Sequence, residues 1–280
     1  MTHTSVALRR VAAAALALGG LAACSSEDGP TVTETPPLAY VRVINAIPDT
    51  TAMIYGFRDE VENPIEGSGL AFRQGSSYKG TRAGQRLLRS FVVSSVPAIV
   101  AGDPVINQTL TLRPNTYYTV LHVGLAQGNR DSLIVLEDSI PRAADLGQQV
   151  AIRAVHAIPG AAPGPVQVFV TDTTSDAVGT ALATINFGAR TGYVRRAAGR
   201  AAAQVRAVAD PSVILRVQMQ RGTPGDNVAN PEGGVAISGS AMSVVAFPAG
   251  LGQRATAFAS PGLVSFLDGR PTPTIAPIRP

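Results

Sequence analysis

Tyr40-Val41-Arg42-Val43-Ile44-Asn45-Ala46-Ile47-Pro48 reappears in altered form as Ala151-Ile152-Arg153-Ala154-Val155-His156-Ala157-Ile158-Pro159, 111 residues further along the chain. Four of the nine positions are identical, and two more exchange Val and Ile. Self-similarity at a fixed spacing is the mark of a duplicated structural unit. The correspondence continues in order. Phe72, Tyr78 and Gly84 match Phe187, Tyr193 and Gly199 at a spacing of 115, and Leu133–Pro141 (LIVLEDSIP) matches Leu263–Pro271 (LVSFLDGRP) at a spacing of 130. An offset that only grows describes two copies of one domain with insertions in the loops of the second. Arg221–Gly234, rich in Gly, Pro and Asn, lies in the span where the offset grows and reads as a surface loop. Repeat one is assigned to 39–141 and repeat two to 150–271, with a short polar linker at 142–149 and a Pro-rich tail at 272–280.

The local pattern is that of strands. Tyr40–Ala46, Leu87–Ser94, Thr109–Leu112, Tyr117–Val123, Leu133–Leu136, Ala151–Ala157, Val166–Val170, Ala203–Val208, Val213–Val217 and Met242–Phe247 are short, rich in β-branched and apolar residues, and bounded by turn formers. Helical periodicity is weak. The Ala-rich piece Arg195–Ala203 has helix propensity, but Gly199 and its match to Gly84 favour a turn. Many short strands in about 100 residues predict an antiparallel β-sandwich in each repeat.

The N-terminus reads as an address. Arg9 and Arg10 precede an apolar stretch that ends in Leu21-Ala22-Ala23-Cys24, which resembles the lipobox of a bacterial lipoprotein signal peptide. Small residues before the cysteine suit a narrow peptidase site, and the Cys24 thiolate is the natural acceptor for a diacylglyceryl group. Residues 1–23 would be removed, leaving acyl chains on Cys24 as a stable membrane anchor. Ser25–Leu38 (SSEDGPTVTETPPL) is polar and Pro-rich, so 24–38 reads as the lipidated cysteine with a flexible tether. Ser25 after the cysteine resembles the outer-membrane sorting class.

Composition narrows the classes further. Hydrophobic residues make up 45% and charged residues 15%, too apolar for a disordered chain. The apolar run Val11–Ala23 is too short to span a bilayer, which takes about 20 residues. A single cysteine rules out intrachain disulfides and cysteine-based metal sites. The net charge of +4 includes Arg9 and Arg10 of the signal, so the global charge gives no argument for nucleic acid.

The spaced pattern VRVINAIPD at Val41–Asp49, Phe72-x5-Tyr78-x5-Gly84, then YYTVLHVG at Tyr117–Gly124 resembles the bacterial family called domain of unknown function 4397, over both repeats. That resemblance implies an exported, often lipid-anchored protein, often with tandem copies, built as an immunoglobulin- or transthyretin-like β-sandwich with no known activity. The family commonly flanks its Ala-x-Pro turn with His and Asp. Here repeat one has Asn45 and Asp49, while repeat two has His156 and Gly160, so neither copy keeps both. A side chain that hydrogen-bonds the turn, which Asn and His can both supply, is the better account of that position.

Catalytic signatures are missing. There is no Gly-x-Ser-x-Gly elbow, and the histidines past the signal are His122 and His156. His122 falls in a predicted strand, where a core or strand-surface histidine is expected. Asp103, Glu137, Asp138 and Asp268 single out no acid pair. The loop Gly225–Gly234 has oxygen donors of the kind that hold Ca²⁺, but it also has the composition of an exposed turn. Charge placement says more. Gly67–Gly102 and Ala177–Ala209 contain no acid, yet carry Arg73, Lys79, Arg82, Arg86 and Arg89, and Arg190, Arg195, Arg196, Arg200 and Arg206. Arginine forks suit phosphate and carboxylate groups. Arg190, Arg195, Arg196 and Arg200 are therefore the candidate anion-binding residues, set against the plainer reading of a solvated basic face.

The sequence thus leads to an all-β chain of two tandem antiparallel sandwiches behind a cleaved signal and tether. The expected role is that of a non-enzymatic, lipid-anchored cell-envelope protein, structural or ligand-presenting, with no cofactor or metal. A binding module for an anionic glycan or lipid headgroup is the alternative, and a hydrolase of unrecognised type the third.

Overall fold

Alternation along the quoted strand explains the architecture. Val41 and Val43 point to one side of their sheet, Arg42 and Ile44 to the other, and all four are buried. A strand buried on both faces belongs to an inner layer. The computed structural model describes residues 36–57, 66–93, 104–160, 164–171, 181–210, 214–226 and 229–271. Cys24, the signal, most of the tether and the tail at 272–280 lie outside the described residues, as do Ser94 and Val213. All the strands below belong to the unit Pro37–Pro280.

The first half contains β1 (Leu38–Asn45), β2 (Ala52–Phe57), β3 (Glu66–Ala71), β4 (Lys79–Arg82), β5 (Gly84–Val92), β6 (Ile106–Leu112), β7 (Tyr117–Leu125) and β8 (Arg130–Asp138). One helical turn, α1 (Ala143–Leu146), leads to the second half: β9 (Gln149–His156), β10 (Val166–Thr171), β11 (Ala181–Ile185), β12 (Val194–Ala197), β13 (Ala202–Ala207), β14 (Ile214–Gln218), β15 (Ala241–Phe247) and β16 (Gly262–Gly269). Sheet orders are β4-β1-β7-β8 and β3-β2-β5-β6, then β12-β9-β15-β16 and β11-β10-β13-β14. The second pair repeats the first strand for strand. Arg195–Ala203, where helix and turn competed, is strand, turn and strand.

Two features refine the sequence expectation. The sandwiches are mostly antiparallel, but β1 runs parallel to β7, and β9 parallel to β15. A parallel pair needs a long crossover, and the excursion through the other sheet supplies it. The inner sheets also have no solvated face. Val41, Val43, Met53, Leu88 and Val120 fill the first sandwich, and Ile152, Ala154, Val168, Val205 and Val244 the second. A third cluster, including Ile44, Leu121, Val155, Val245 and Phe247, joins β1 and β7 to β9 and β15. The result is four stacked layers with the two inner sheets packed on each other.

The extra length of the second half falls in two connections. Residues 219–240 stand where the first half has 113–116, and 248–261 where it has 126–129. The second of these forms a clasp. Leu251 N–H donates to Pro48 O at 2.9 Å, Arg254 Nε to Thr50 O at 3.1 Å, and Phe258 meets Phe72 edge-on at 5.2 Å. The segment 142–149, read as a polar linker, is anchored too, with Leu146 packed against Ala151 and Ala241.

Candidate functional site

At the seam, Arg42 Nη1 meets Asp268 Oδ1 at 2.6 Å and Arg153 Nη1 meets Asp138 Oδ1 at 2.5 Å. Each arginine stands at the middle of its half's first strand and pairs with the aspartate at the end of the other half's last strand. Residues of the same half hold the second carboxylate oxygen. Tyr78 and Thr119 hydroxyls donate to Asp138 Oδ2 at 2.6 and 2.5 Å, and Tyr193 and Ser243 hydroxyls to Asp268 Oδ2 at 2.6 and 2.5 Å. Arg42 Nε donates to Thr119 Oγ1 at 2.8 Å and Arg153 Nε to Ser243 Oγ at 2.6 Å. The guanidinium carbons lie 4.8 Å from the Tyr78 ring centre and 4.9 Å from that of Tyr193. The network is nearly two-fold, with its charges exchanged between halves.

All four charges are buried. Desolvation is the largest single influence on both buried guanidinium groups and opposes their charge, but Asp268, Asp138 and the neighbouring tyrosine together outweigh it, and both Arg42 and Arg153 stay above the ordinary arginine value. Burial pushes the Tyr78 and Tyr193 hydroxyls far above the usual tyrosine value, so they remain protonated donors. Such a network adds little net stability over apolar packing, but removing one partner strands a buried charge. Chemically it is a lock, in which each carboxylate is held by an arginine of the other half and by two hydroxyls of its own.

Two clefts flank this lock. The first, of about 830 Å³, is bordered by Tyr78, Asn115 and Tyr117 from the first half, Arg142 from the connection, and Asp268 and Arg270 from the second half. The second, of about 450 Å³, is bordered by Arg153, Arg190, Thr191, Tyr193 and Arg195. Ser139 and Pro141 border both.

The four candidate arginines divide between two places. Arg190 and Arg195 border the smaller cleft, where their guanidinium groups donate to Glu137 O and Asp145 O. Arg196, next along β12, points to the opposite face and donates to Arg200 O at 3.2 Å. Neither Arg196 nor Arg200 borders either seam cleft. In the first basic stretch, Arg73 joins the halves. Its Nη2 donates to Pro248 O at 2.7 Å and Ser260 O at 2.6 Å, and the guanidinium lies 4.8 Å from the Phe258 ring centre. Arg73 holds φ at +68° where the second half has Gly188 at +78°.

The turn position behaves as its residue types suggest. Asn45 Oδ1 accepts the Ile47 N–H at 3.0 Å, and His156 Nδ1 accepts the Ile158 N–H at 3.3 Å. Asp49 accepts the N–H groups of Ala126 and Gln127, tying down the β7–β8 turn. His122 is wholly buried, with Nδ1 2.9 Å from the Tyr55 hydroxyl and Nε2 2.7 Å from Asp131 Oδ2. These three side chains satisfy one another inside the first sandwich. In the loop weighed for Ca²⁺, Asp226 Oδ1 accepts the Ala229 N–H at 2.7 Å, as in a turn, and Asn227 lies outside the described residues.

Sequence reasoning found Arg42, Arg153, Asp138 and Asp268 as repeated residues but did not assign them a site. The available signal was a charge, identical in both copies, in the middle of an apolar strand. Tyr117, Arg142 and Arg270 carried no such signal.

Residues 39–168 match the model of the family described as domain of unknown function (DUF4397). No curated protein matches the chain. Among solved structures, a candidate cell adhesion protein from Bacteroides uniformis aligns at 11% identity over 84% of this chain and 98% of its own, with a TM-score of 0.25. A leucine-rich repeat protein from Bacteroides thetaiotaomicron aligns at 11% identity over 65% of this chain and 23% of its own, with a TM-score of 0.20.

Proposed function

Starting from a chain whose residues 39–168 carry a DUF4397 domain, we propose that this is a non-enzymatic, lipid-anchored protein of the cell envelope. Cys24 holds it to the outer membrane, and it presents a rigid pair of sandwich modules, the second a further copy of the first. The observation that supports a presenting role is the seam itself. The exchanged pairs Arg42–Asp268 and Arg153–Asp138, the buried inner sheets and the clasp at 248–261 make one stiff body of two modules. A stiff body on a tether suits display or spacing at a surface. The lipobox residues Leu21–Cys24 support the anchor. Membrane fractionation of cells expressing the full chain tests this. Wild type should sediment with membranes, and Cys24→Ser should shift to the soluble fraction. Equal partitioning of the two would refute the anchor.

A second reading, binding of an anionic glycan, is favoured by the grouping of Arg190 and Arg195 around one cleft and of Arg142 and Arg270 around the other.

A further inference from the structure

Beside the lock, the two halves differ at one matched register pair. In the first half Tyr40 pairs in register with Tyr117, and the rings stack at 4.7 Å and 15°. In the second half the same register pair is Ala151 and Ala241, and Leu146 of α1 packs onto them with Ile140 and Tyr193. The second half is therefore closed where the first half opens into the 830 Å³ cleft. Tyr117 remains 37% exposed there, held on one side by Tyr40 and met edge-on by Tyr78 at 5.2 Å.

Charge at this cleft is one-sided. Asp138 and Asp268 border it, but both are neutralised by the buried arginines. Arg142 and Arg270 are exposed at its edge, and neither guanidinium has an acid or hydrogen-bond partner among the described residues. Arg190 and Arg195 in the smaller cleft already donate to main-chain carbonyls. The larger cleft thus combines a braced, partly exposed aromatic ring, two available guanidinium forks, and the polar side chains of Asn115 and Ser77.

We propose that this cleft binds a carboxylated oligosaccharide, with a pyranose ring against Tyr117 and sugar carboxylates on Arg142 and Arg270. An aromatic ring offers the apolar face of a sugar a flat, pre-ordered contact. Arginine matches a carboxylate with two parallel hydrogen bonds. A bare inorganic anion would use the arginines and leave the ring unused, and a neutral glucan would do the reverse. The proposal rests on the anionic-glycan reading above and gives it a place.

The test uses the full-length protein in detergent, titrated with polygalacturonate, alginate and neutral dextran, and with anionic lipid vesicles. Calorimetry reads binding, with the change in tyrosine emission alongside, since Tyr78 and Tyr117 border the cleft and the chain has no Trp. Wild type should bind the two acidic glycans more weakly as salt rises, and ignore dextran. Tyr117→Ala and Arg142→Gln with Arg270→Gln should each weaken binding about tenfold or more, given the strength of hydrogen bonds to charged groups. Tyr117→Phe keeps the ring and should bind like wild type, which separates stacking from misfolding. Arg196→Gln with Arg200→Gln should change nothing. Loss of binding confined to Arg190→Gln with Arg195→Gln would overturn the cleft and leave the anionic-glycan reading standing. No binding of either acidic glycan would remove both. Equal binding of dextran, or binding of vesicles alone, would overturn the proposal.

Discussion

Inside its sandwich the first half holds Tyr55, His122 and Asp131 in mutual contact. At the matching positions the second half has Val168, Ala246 and Pro261. Across the seam nothing comparable has changed: Arg, hydroxyl, Tyr and Asp stand at the same four places in both halves. The contrast follows from where each residue finds its partner. A core needs volume and satisfied polar groups, and one half can exchange a polar trio for apolar residues by itself. A seam residue has its partner on the other copy, so a change in one half strands a charge belonging to the other. The seam also has unequal edges. Phe72 is buried under the clasp at 248–261, while its counterpart Phe187 is 41% exposed.

The strongest way to break this comparison is at the lock. Asp138→Asn should cost about 3–5 kcal/mol, because it leaves Arg153 buried with half its compensation. Asp268→Asn should cost a similar amount through Arg42. Urea unfolding followed by circular dichroism measures both. A loss below about 1 kcal/mol for either, well under the usual cost of stranding a buried charge, would mean that the halves do not share the load evenly.

A smaller effect separates the interiors. His122→Ala should cost about 1–3 kcal/mol by leaving the Tyr55 hydroxyl and Asp131 unpartnered. Adding Tyr55→Phe should recover part of that, since the orphaned hydroxyl is gone. If the double variant is no more stable than the single one, the trio is not a hydrogen-bonded unit.

The smallest effect is a pH dependence that His156 of the second half should contribute. Burial pushes His156 below the ordinary histidine value, partly offset by its hydrogen bond to Gly164 O. The unfolded chain then binds a proton more readily than the folded one. This contribution is complete above the unfolded value of about 6.5 and is lost as pH falls through the depressed folded value. His156→Asn copies Asn45 of the first half and should flatten that part of the stability profile. An unchanged slope between wild type and variant in pH-dependent thermal melts would show that His156 does not titrate on unfolding.

Much of the fold was legible in short stretches. Tyr117–Val123 and Met242–Phe247 alternate or saturate with β-branched and apolar residues, and both lie within strands. β3, with the sequence EGSGLA, and the four-residue β4 and β12 gave no such signal. Their strand character comes from pairing with β2, β1 and β9. The basic stretch was legible as charge, but not as a site, because Arg195 and Arg196 are neighbours in sequence and face opposite ways in a strand.

By itself the sequence determined the strand content and the residues that recur in order along the chain, since these rest on propensity and identity along one line. Only the tertiary structure decided that Arg42 answers Asp268 and Arg153 answers Asp138, that the inner sheets lie against each other, and that one flank is sealed by Leu146 while the other opens beside Tyr117. Those are statements about which surfaces meet. A linear pattern records which face of a strand is apolar, but not whose face it will cover.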